Sequence, residues 1–162
     1  MQSAPALATD ASPDEGIRSI VSAHIGREGP LLPILHDVQH AFGHIPATAV
    51  PLVAQMLNIS RAEVHGVVSF YHDFREAPAG RHVLKLCRAE ACQARGAAAV
   101  EAAALDALGL DGPGTTADGA VTVEPVYCLG LCACGPAAML DGRPVARLDE
   151  DRVTSLLREM RA

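Results

Sequence analysis

Five cysteines fall within residues 87–134, and their spacing is the feature of this sequence most suited to chemistry. Four of them form two close pairs, Cys87 with Cys92 and Cys128 with Cys132, separated by 35 residues. A [2Fe–2S] cluster requires four thiolates, two on each iron, and a close pair on one loop can hold one iron. Each pair also follows a predicted strand, so both can reach one sheet edge. The spacing therefore favours a [2Fe–2S] cluster on these four residues.

A structural zinc site is the main alternative, because four thiolates also make a closed tetrahedral zinc centre. Zinc ribbons generally use tighter pairs with two intervening residues, and this sequence contains no such pair. The same absence disfavours a thioredoxin-type redox dithiol. Cys134 lies two positions after Cys132, and we expect it to pack near the metal centre, with a weak hydrogen bond to sulfur open to it.

Histidine spacing offers a second, weaker metal hypothesis. His36 and His40 lie one helical turn apart, but the glutamate of the metalloprotease pattern does not follow His36. We therefore interpret His36, His40 and His44 as residues of a polar or interface face. The sequence contains no glycine-rich phosphate loop and no serine nucleophile elbow, so we expect no catalytic residue in this chain. One-electron transfer is the chemistry that remains.

Composition narrows the possible partners and the compartment. The 162 residues carry a formal net charge of −6 without a Lys/Arg cluster, which disfavours nucleic acid as a partner. No apolar run reaches the roughly 18 residues of a membrane helix, so we expect no membrane segment. The first residues lack the pattern of a secretory signal, and we expect a cytoplasmic protein. In that reducing compartment, clustered cysteines bind metal more often than they form disulfides.

The first half of the sequence predicts a bundle of four short helices. Ser12 with Glu15, and Ser60 with Glu63, form capping boxes that open the first and fourth helices. Apolar residues at helical spacing indicate the second helix, which stops at Gly43, and the third. We predict a disordered tail over residues 1–12, a helical domain over 13–76 that docks on a partner, and a linker over 77–80.

The pattern changes to strands after the linker. Strands are predicted at residues 81–86 and 120–127, a helix at 92–108, a hairpin of 137–140 with 145–148, and a last helix capped by Asp149. This order is typical of a thioredoxin-like domain, assigned to residues 81–162. The predicted fold class is α+β, with an N-terminal helical bundle followed by a thioredoxin-like α/β [2Fe–2S] domain.

Three segments resemble a known family. The stretch from Cys128 to Cys132 reads CLGLC, the stretch from Cys87 to Cys92 reads CRAEAC, and residues 64–74 read VHGVVSFYHDF. Together they resemble the thioredoxin-like [2Fe–2S] ferredoxin family, over about residues 14–160. The family includes the small NADH-module subunit of respiratory complex I, its counterpart in NAD-linked hydrogenases, and the gamma subunit of soluble NAD-dependent, molybdenum-containing formate dehydrogenase.

The resemblance implies an electron-transfer subunit with one [2Fe–2S] cluster. The short chain and the sequence CACGPA over residues 132–137 are most similar to the formate dehydrogenase gamma subunit. That assignment implies docking on a flavoprotein subunit that carries FMN and the NAD site, with further iron–sulfur clusters in partner subunits. Formate would be oxidised at a molybdenum cofactor in the large subunit. Membership of complex I or of a hydrogenase, and a zinc-stabilised interaction module, are the alternatives.

Overall fold

The computed structural model describes residues 12–161, which form two compact units that divide between Pro78 and Ala79. The predicted tail of residues 1–12 lies outside the described residues, except for Ser12, which caps the first helix. No helix within residues 12–161 is both long and apolar enough to cross a lipid bilayer.

The first unit is helical. It contains α1 (Pro13–His24), α2 (Leu31–Phe42), α3 (Ala49–Leu57) and α4 (Arg61–Phe70). Both predicted capping boxes are present, since the Ser12 and Ser60 side chains accept hydrogen bonds from the backbone N–H groups of Glu15 and Glu63. The C-caps of α2 and α3, Gly43 and Asn58, adopt the left-handed conformation that ends a helix. The fully buried core is built from Ile17, Val21, Ile34, Leu35, Val38, Val53 and Val64.

The second unit is a five-stranded mixed sheet with helices. Its strands are β1 (His82–Cys87), β2 (Gly114–Thr115), β3 (Val121–Val126), β4 (Ala137–Leu140) and β5 (Arg143–Ala146), in the order β2-β3-β1-β4-β5. β1 and β3 are parallel, and the other neighbouring strands are antiparallel. The helices are α5 (Glu90–Gln93), α6 (Ala97–Leu108) and α7 (Glu150–Arg161). The α+β fold class is confirmed.

The core of the second unit lies between the sheet and its two longer helices. Leu84 and Leu86 alternate along β1 with less buried residues, as expected for a strand with one buried face. Val121 and Val123 of β3 join the same core. The helices contribute Val100 and Ala104 from α6, with Val153 and Leu157 from α7.

Three predicted boundaries in this unit are corrected. The predicted helix over residues 92–108 is broken into α5 and α6, because Gly96 has a φ of +93° and interrupts the helix. The second strand of the hairpin begins at Arg143 instead of residue 145, since Asp141 and Gly142 both have positive φ and form a two-residue turn. The short strand β2 lies between the predicted helix and the predicted strand 120–127, where no strand is predicted.

Candidate metal centre

Two parallel strands bring the cysteine pairs to one edge of the sheet. Cys87 is the last residue of β1 and is in register with Val126, the last residue of β3, while Cys128 follows two positions later. The backbone N–H of Arg88 donates to the carbonyl oxygen of Val126 at 2.8 Å, which extends the pairing beyond the strands. Parallel strands end at the same sheet edge, so the loops that carry the two pairs begin side by side.

The thiols meet as two pairs. Cys92 lies in the one-turn helix α5, and Cys132 begins a 3₁₀ turn of residues Cys132–Cys134. Cys87 and Cys92 pack in one small buried cluster, and the Cys128 thiol is near enough to Cys132 to raise its pKa. Gly135, three residues after Cys132, lies against the Cys92 sulfur, which places the two cysteine loops side by side. The structure thus brings the two predicted ligand pairs to one edge of the sheet.

The ligand requirement of a single metal ion differs from that of a two-iron cluster. Among residues 12–161, no three His, Cys, Asp or Glu side chains are grouped closely enough to hold one metal ion. A zinc ion needs four ligands on one centre, whereas a two-iron cluster takes two thiolates on each iron. Two thiol pairs at one sheet edge fit the donor set of a [2Fe–2S] cluster.

The two pairs differ in exposure. Cys87 and Cys92 are 3% and 2% exposed, whereas Cys128 and Cys132 are solvent-exposed. Cys87 and Cys92 belong to a small buried cluster with Ala97 and Ala137. Partly buried hydrophobic residues pack against that cluster: Ala89, Val126, Leu129 and Leu131. One side of the centre is therefore enclosed by apolar groups and the other side faces solvent.

Backbone N–H groups favour a negative charge on Cys87. Burial raises the pKa of this thiol, but hydrogen bonds from the backbone of Ala89, the thiol of Cys92, and the backbone of Cys128 and Leu129 outweigh it. The pKa consequently lies below the ordinary thiol value. Two of these N–H groups belong to the opposite cysteine loop, so both loops contribute to the same sulfur. Donors of this kind suit a cluster that carries negative charge on its sulfur atoms.

The pKa values of Cys92 and Cys132 show the effect of placing several sulfur atoms close together. Burial raises the pKa of Cys92, and the neighbouring Cys87 adds to this effect. The hydrogen bond to Cys128, together with the charge of Cys128, raises the pKa of Cys132. Thiolates crowded together repel one another, and bound iron cations would remove that repulsion.

A glycine allows the protein backbone to approach Cys92. A Cβ atom added at Gly135 would lie 3.1 Å from the Cys92 sulfur, closer than ordinary van der Waals contact. Gly135 has a φ of −69°, which any residue can adopt, so the close approach and not the backbone conformation requires glycine here. Arg95 also donates from Nε to the Gly135 carbonyl oxygen at 2.7 Å. Gly135 is absent from the site predicted from sequence, although a Gly-Pro step beside a cysteine pair marks a tight loop.

Cys134 and two of the histidines considered in the sequence analysis make the following contacts in the structure. Cys134 is partly buried, and its backbone N–H donates to the Leu131 carbonyl oxygen at 3.0 Å. The His36 ring lies 5.0 Å from the Phe74 ring, and His44 Nδ1 is 3.0 Å from the Phe42 carbonyl oxygen. Within the described part of the chain, no group suited to a metal ion includes these histidines.

The site has the ligands of an iron–sulfur protein. Two cysteine pairs lie where parallel strands of a thioredoxin-like sheet end, and backbone N–H groups bond to Cys87. The sequence profile of the thioredoxin-like [2Fe–2S] ferredoxin family matches residues 17–161. This chain belongs to that family, and its cofactor is a [2Fe–2S] cluster.

Relatives and solved structures agree with this membership. A subunit of the NADH-quinone oxidoreductase of Pseudomonas aeruginosa is 36% identical over 123 residues, which cover 76% of this chain and 74% of that protein. The HndA subunit of the NADP-reducing hydrogenase of Solidesulfovibrio fructosivorans is 32% identical over 133 residues, or 82% and 78% of the two proteins.

A crystal structure of an NAD⁺-reducing [NiFe]-hydrogenase in the air-oxidised state aligns with a TM-score of 0.68 and 27% identity. The alignment covers 81% of this chain but only 22% of the hydrogenase chain. The matched relatives are subunits of oxidoreductases linked to NAD or NADP, and this chain is an oxidoreductase subunit of the same ferredoxin type.

Proposed function

We propose that Cys87, Cys92, Cys128 and Cys132 bind the [2Fe–2S] cluster, with Cys87 and Cys92 on one iron and Cys128 and Cys132 on the other. The observation that carries this proposal is that the parallel strands β1 and β3 end side by side, so that both cysteine pairs lie at one edge of the sheet. When bound, the cluster supplies reversible one-electron transfer. The protein residues fix the four sulfurs, donate backbone N–H groups to Cys87, and exclude water from the Cys92 side.

We further propose that the chain is the electron-transfer subunit of a soluble NAD-dependent formate dehydrogenase, docked on the flavoprotein that carries FMN and the NAD site. Hydride transfer to a flavin moves two electrons, whereas the cluster accepts one, so the subunit serves as a one-electron carrier beside the flavoprotein. Relatives in NADH- and NADP-linked oxidoreductases support the general role. Formate specificity rests on the similarity of residues 132–137 to the gamma subunits.

Two aromatic residues support docking through the helical domain. Phe70 is 73% exposed and Tyr71 is 43% exposed, at the end of α4. Their ring centroids lie 5.2 Å apart in an edge-to-face arrangement, so they form one continuous aromatic surface. Exposed aromatic residues are enriched where proteins bind partners, and we assign this surface to the flavoprotein subunit.

The assembly is tested by anaerobic purification of the full chain, tagged in its native host, with its bound subunits. We expect an FMN-containing flavoprotein and a large molybdenum-containing subunit in constant ratio with the tagged chain, together with formate-dependent NAD⁺ reduction. Hydrogenase subunits with hydrogen-dependent NAD⁺ reduction, or subunits of respiratory complex I, would instead support the corresponding alternative. A chain that contains zinc and no iron would overturn the electron-transfer function.

A further inference from the structure

The residue that follows Cys87 is an arginine whose side chain is bound to α6. Arg88 Nε lies 2.8 Å and 3.1 Å from the two carboxylate oxygens of Glu101, and Arg88 Nη2 also donates to Glu101 Oε1. Such a fork fixes the direction of the guanidinium group as well as its distance from the carboxylate. The ion pair therefore fastens the start of the Cys87–Cys92 loop to a rigid helix.

The same arginine also contacts the second cysteine loop. Its backbone N–H donates to the Val126 carbonyl oxygen at 2.8 Å, two residues before Cys128. Arg88 thus links the start of the Cys87 loop to the end of β3 and to α6.

Both charges of this pair are poorly exposed. The Arg88 side chain is 31% exposed and the Glu101 side chain is 14% exposed. Charges that are partly withdrawn from water are less screened than surface charges. Arg88 adjoins Cys87, and Glu101 lies one helical turn after Ala97, which packs with Cys87 and Cys92. In the intact pair, the effects of the positive and the negative charge on the potential of the redox centre oppose each other.

We propose that the Arg88–Glu101 ion pair positions the Cys87–Cys92 loop and balances the charge beside the cluster, and thereby sets the cluster's midpoint potential. The inference rests on the proposed cysteine ligands. Reduction adds one negative charge to the cluster, so a nearby cation favours the reduced state and a nearby carboxylate disfavours it. Removing one partner leaves the other uncompensated, and the two single substitutions therefore shift the potential in opposite directions.

The test compares the full-length chain with Arg88→Gln, Arg88→Lys, Glu101→Gln and the double variant R88Q/E101Q. Charge-matched controls are Arg143→Gln and Asp141→Asn at the hairpin turn. Asp141 Oδ2 lies 2.8 Å from His82 Nδ1 at the first residue of β1. His82 and Cys87 are five residue steps apart along the strand, or about 16 Å, which exceeds the Debye length of about 8 Å at physiological ionic strength.

The measurements are iron and sulfide content, the midpoint potential by spectroscopic redox titration at one pH, and the rate of cluster loss to a chelator. We expect a lower potential in R88Q, a higher potential in E101Q, and a near-wild-type potential in the double variant and in R88K. Cluster loss should be faster in R88Q and in the double variant, because both lack the guanidinium fork. The controls should match the wild type.

Unchanged potentials in R88Q and E101Q, or shifts in the same direction, would overturn the charge-balancing role. If R88Q retains no cluster, the potential of E101Q still tests the charge-balancing role, because the glutamine amide keeps one acceptor for Arg88 while removing the charge. A wild-type chain without iron and sulfide would overturn the cysteine-ligand proposal itself. A wild-type chain with a full cluster, together with variants whose potentials do not change, would overturn only the role of the ion pair.

Discussion

Gly135 and Cys92 approach each other so closely that a methyl group at position 135 would lie 3.1 Å from the Cys92 sulfur. This contact joins the segment after Cys132 to the helix that carries Cys92, and so connects the two cysteine loops. The space around one proposed ligand is thus set by a backbone atom of the other loop.

Replacing Gly135 with alanine should loosen the metal centre without preventing folding. Overpacking of this kind costs roughly 1–3 kcal/mol, and we expect cluster loss to a chelator to be about fivefold faster or more. Gly112→Ala is the control, because a Cβ at Gly112 meets no atom within 4 Å and its φ is not positive. The rate is followed by visible absorbance, and equal rates in the two variants would contradict the tight contact.

Substitution of Cys128 by serine should change the electron paramagnetic resonance signal of the reduced cluster and lower its iron content. A serine oxygen replaces one thiolate of the four that the cluster requires, and the exposed position of Cys128 gives water access to the altered ligand. Cys134→Ser is the matched control, since Cys134 is close in sequence to Cys132 but is not assigned as a ligand. A spectral change in C134S with none in C128S would reverse the assignment.

Truncation of Phe70 should weaken assembly with the flavoprotein while leaving the cluster intact. Truncation of a hot-spot aromatic costs about 2 kcal/mol or more, so we expect a rise of at least about tenfold in the dissociation constant of Phe70→Ala. Ile25→Ala is the control, because Ile25 is 54% exposed but lies at the end of α1. Binding of purified flavoprotein, measured by calorimetry, distinguishes the two variants; an equal affinity for both would exclude this docking surface.

The capping box of α4 should make stability depend on pH. The backbone hydrogen bond from Ser60 lowers the pKa of Glu63 from 4.5, and the Ser60 side chain adds to this. A depressed carboxyl pKa stabilises the fold above the unfolded-state value, and this contribution is lost as the pH falls through the folded-state value.

Glu63→Gln removes this contribution and Ser60→Ala removes the cap, the latter at a cost of about 1 kcal/mol. The difference in the free energy of unfolding between wild type and E63Q should be largest at neutral pH and shrink below about pH 4.5. Urea unfolding at several pH values measures the difference, and a difference that does not vary with pH would contradict the role of the Glu63 charge.

Local patterns made much of the fold predictable from sequence. The capping boxes at Ser12 and Ser60 mark the starts of α1 and α4, because a side-chain cap acts within four residues. The placement of both cysteine pairs at one sheet edge was also foreseeable, since Cys87 ends β1 and Cys128 follows β3. The interruption of the alanine-rich helix at Gly96 was missed, because the helix propensity of many alanines outweighs that of a single glycine in a sequence-based prediction.

The parts of the site that sequence reasoning missed depend on distant contacts. Arg88 lies in the loop after β1 and Glu101 in α6, 13 residues apart, so no helical or strand period connects them. Gly135 meets Cys92 only after both loops have folded. Such contacts follow from the tertiary structure, and the sequence contains no local signal for the ion pair.

The central claim, a [2Fe–2S] cluster on four cysteines, is tested most directly on the anaerobically purified wild-type chain. Iron and acid-labile sulfide are assayed, and electron paramagnetic resonance spectra are recorded after dithionite reduction. We expect two irons and two sulfides for each chain, as the cluster formula requires, and a spin-half signal in the reduced protein. Zinc in place of iron, or iron without labile sulfide and without that signal, would contradict the claim.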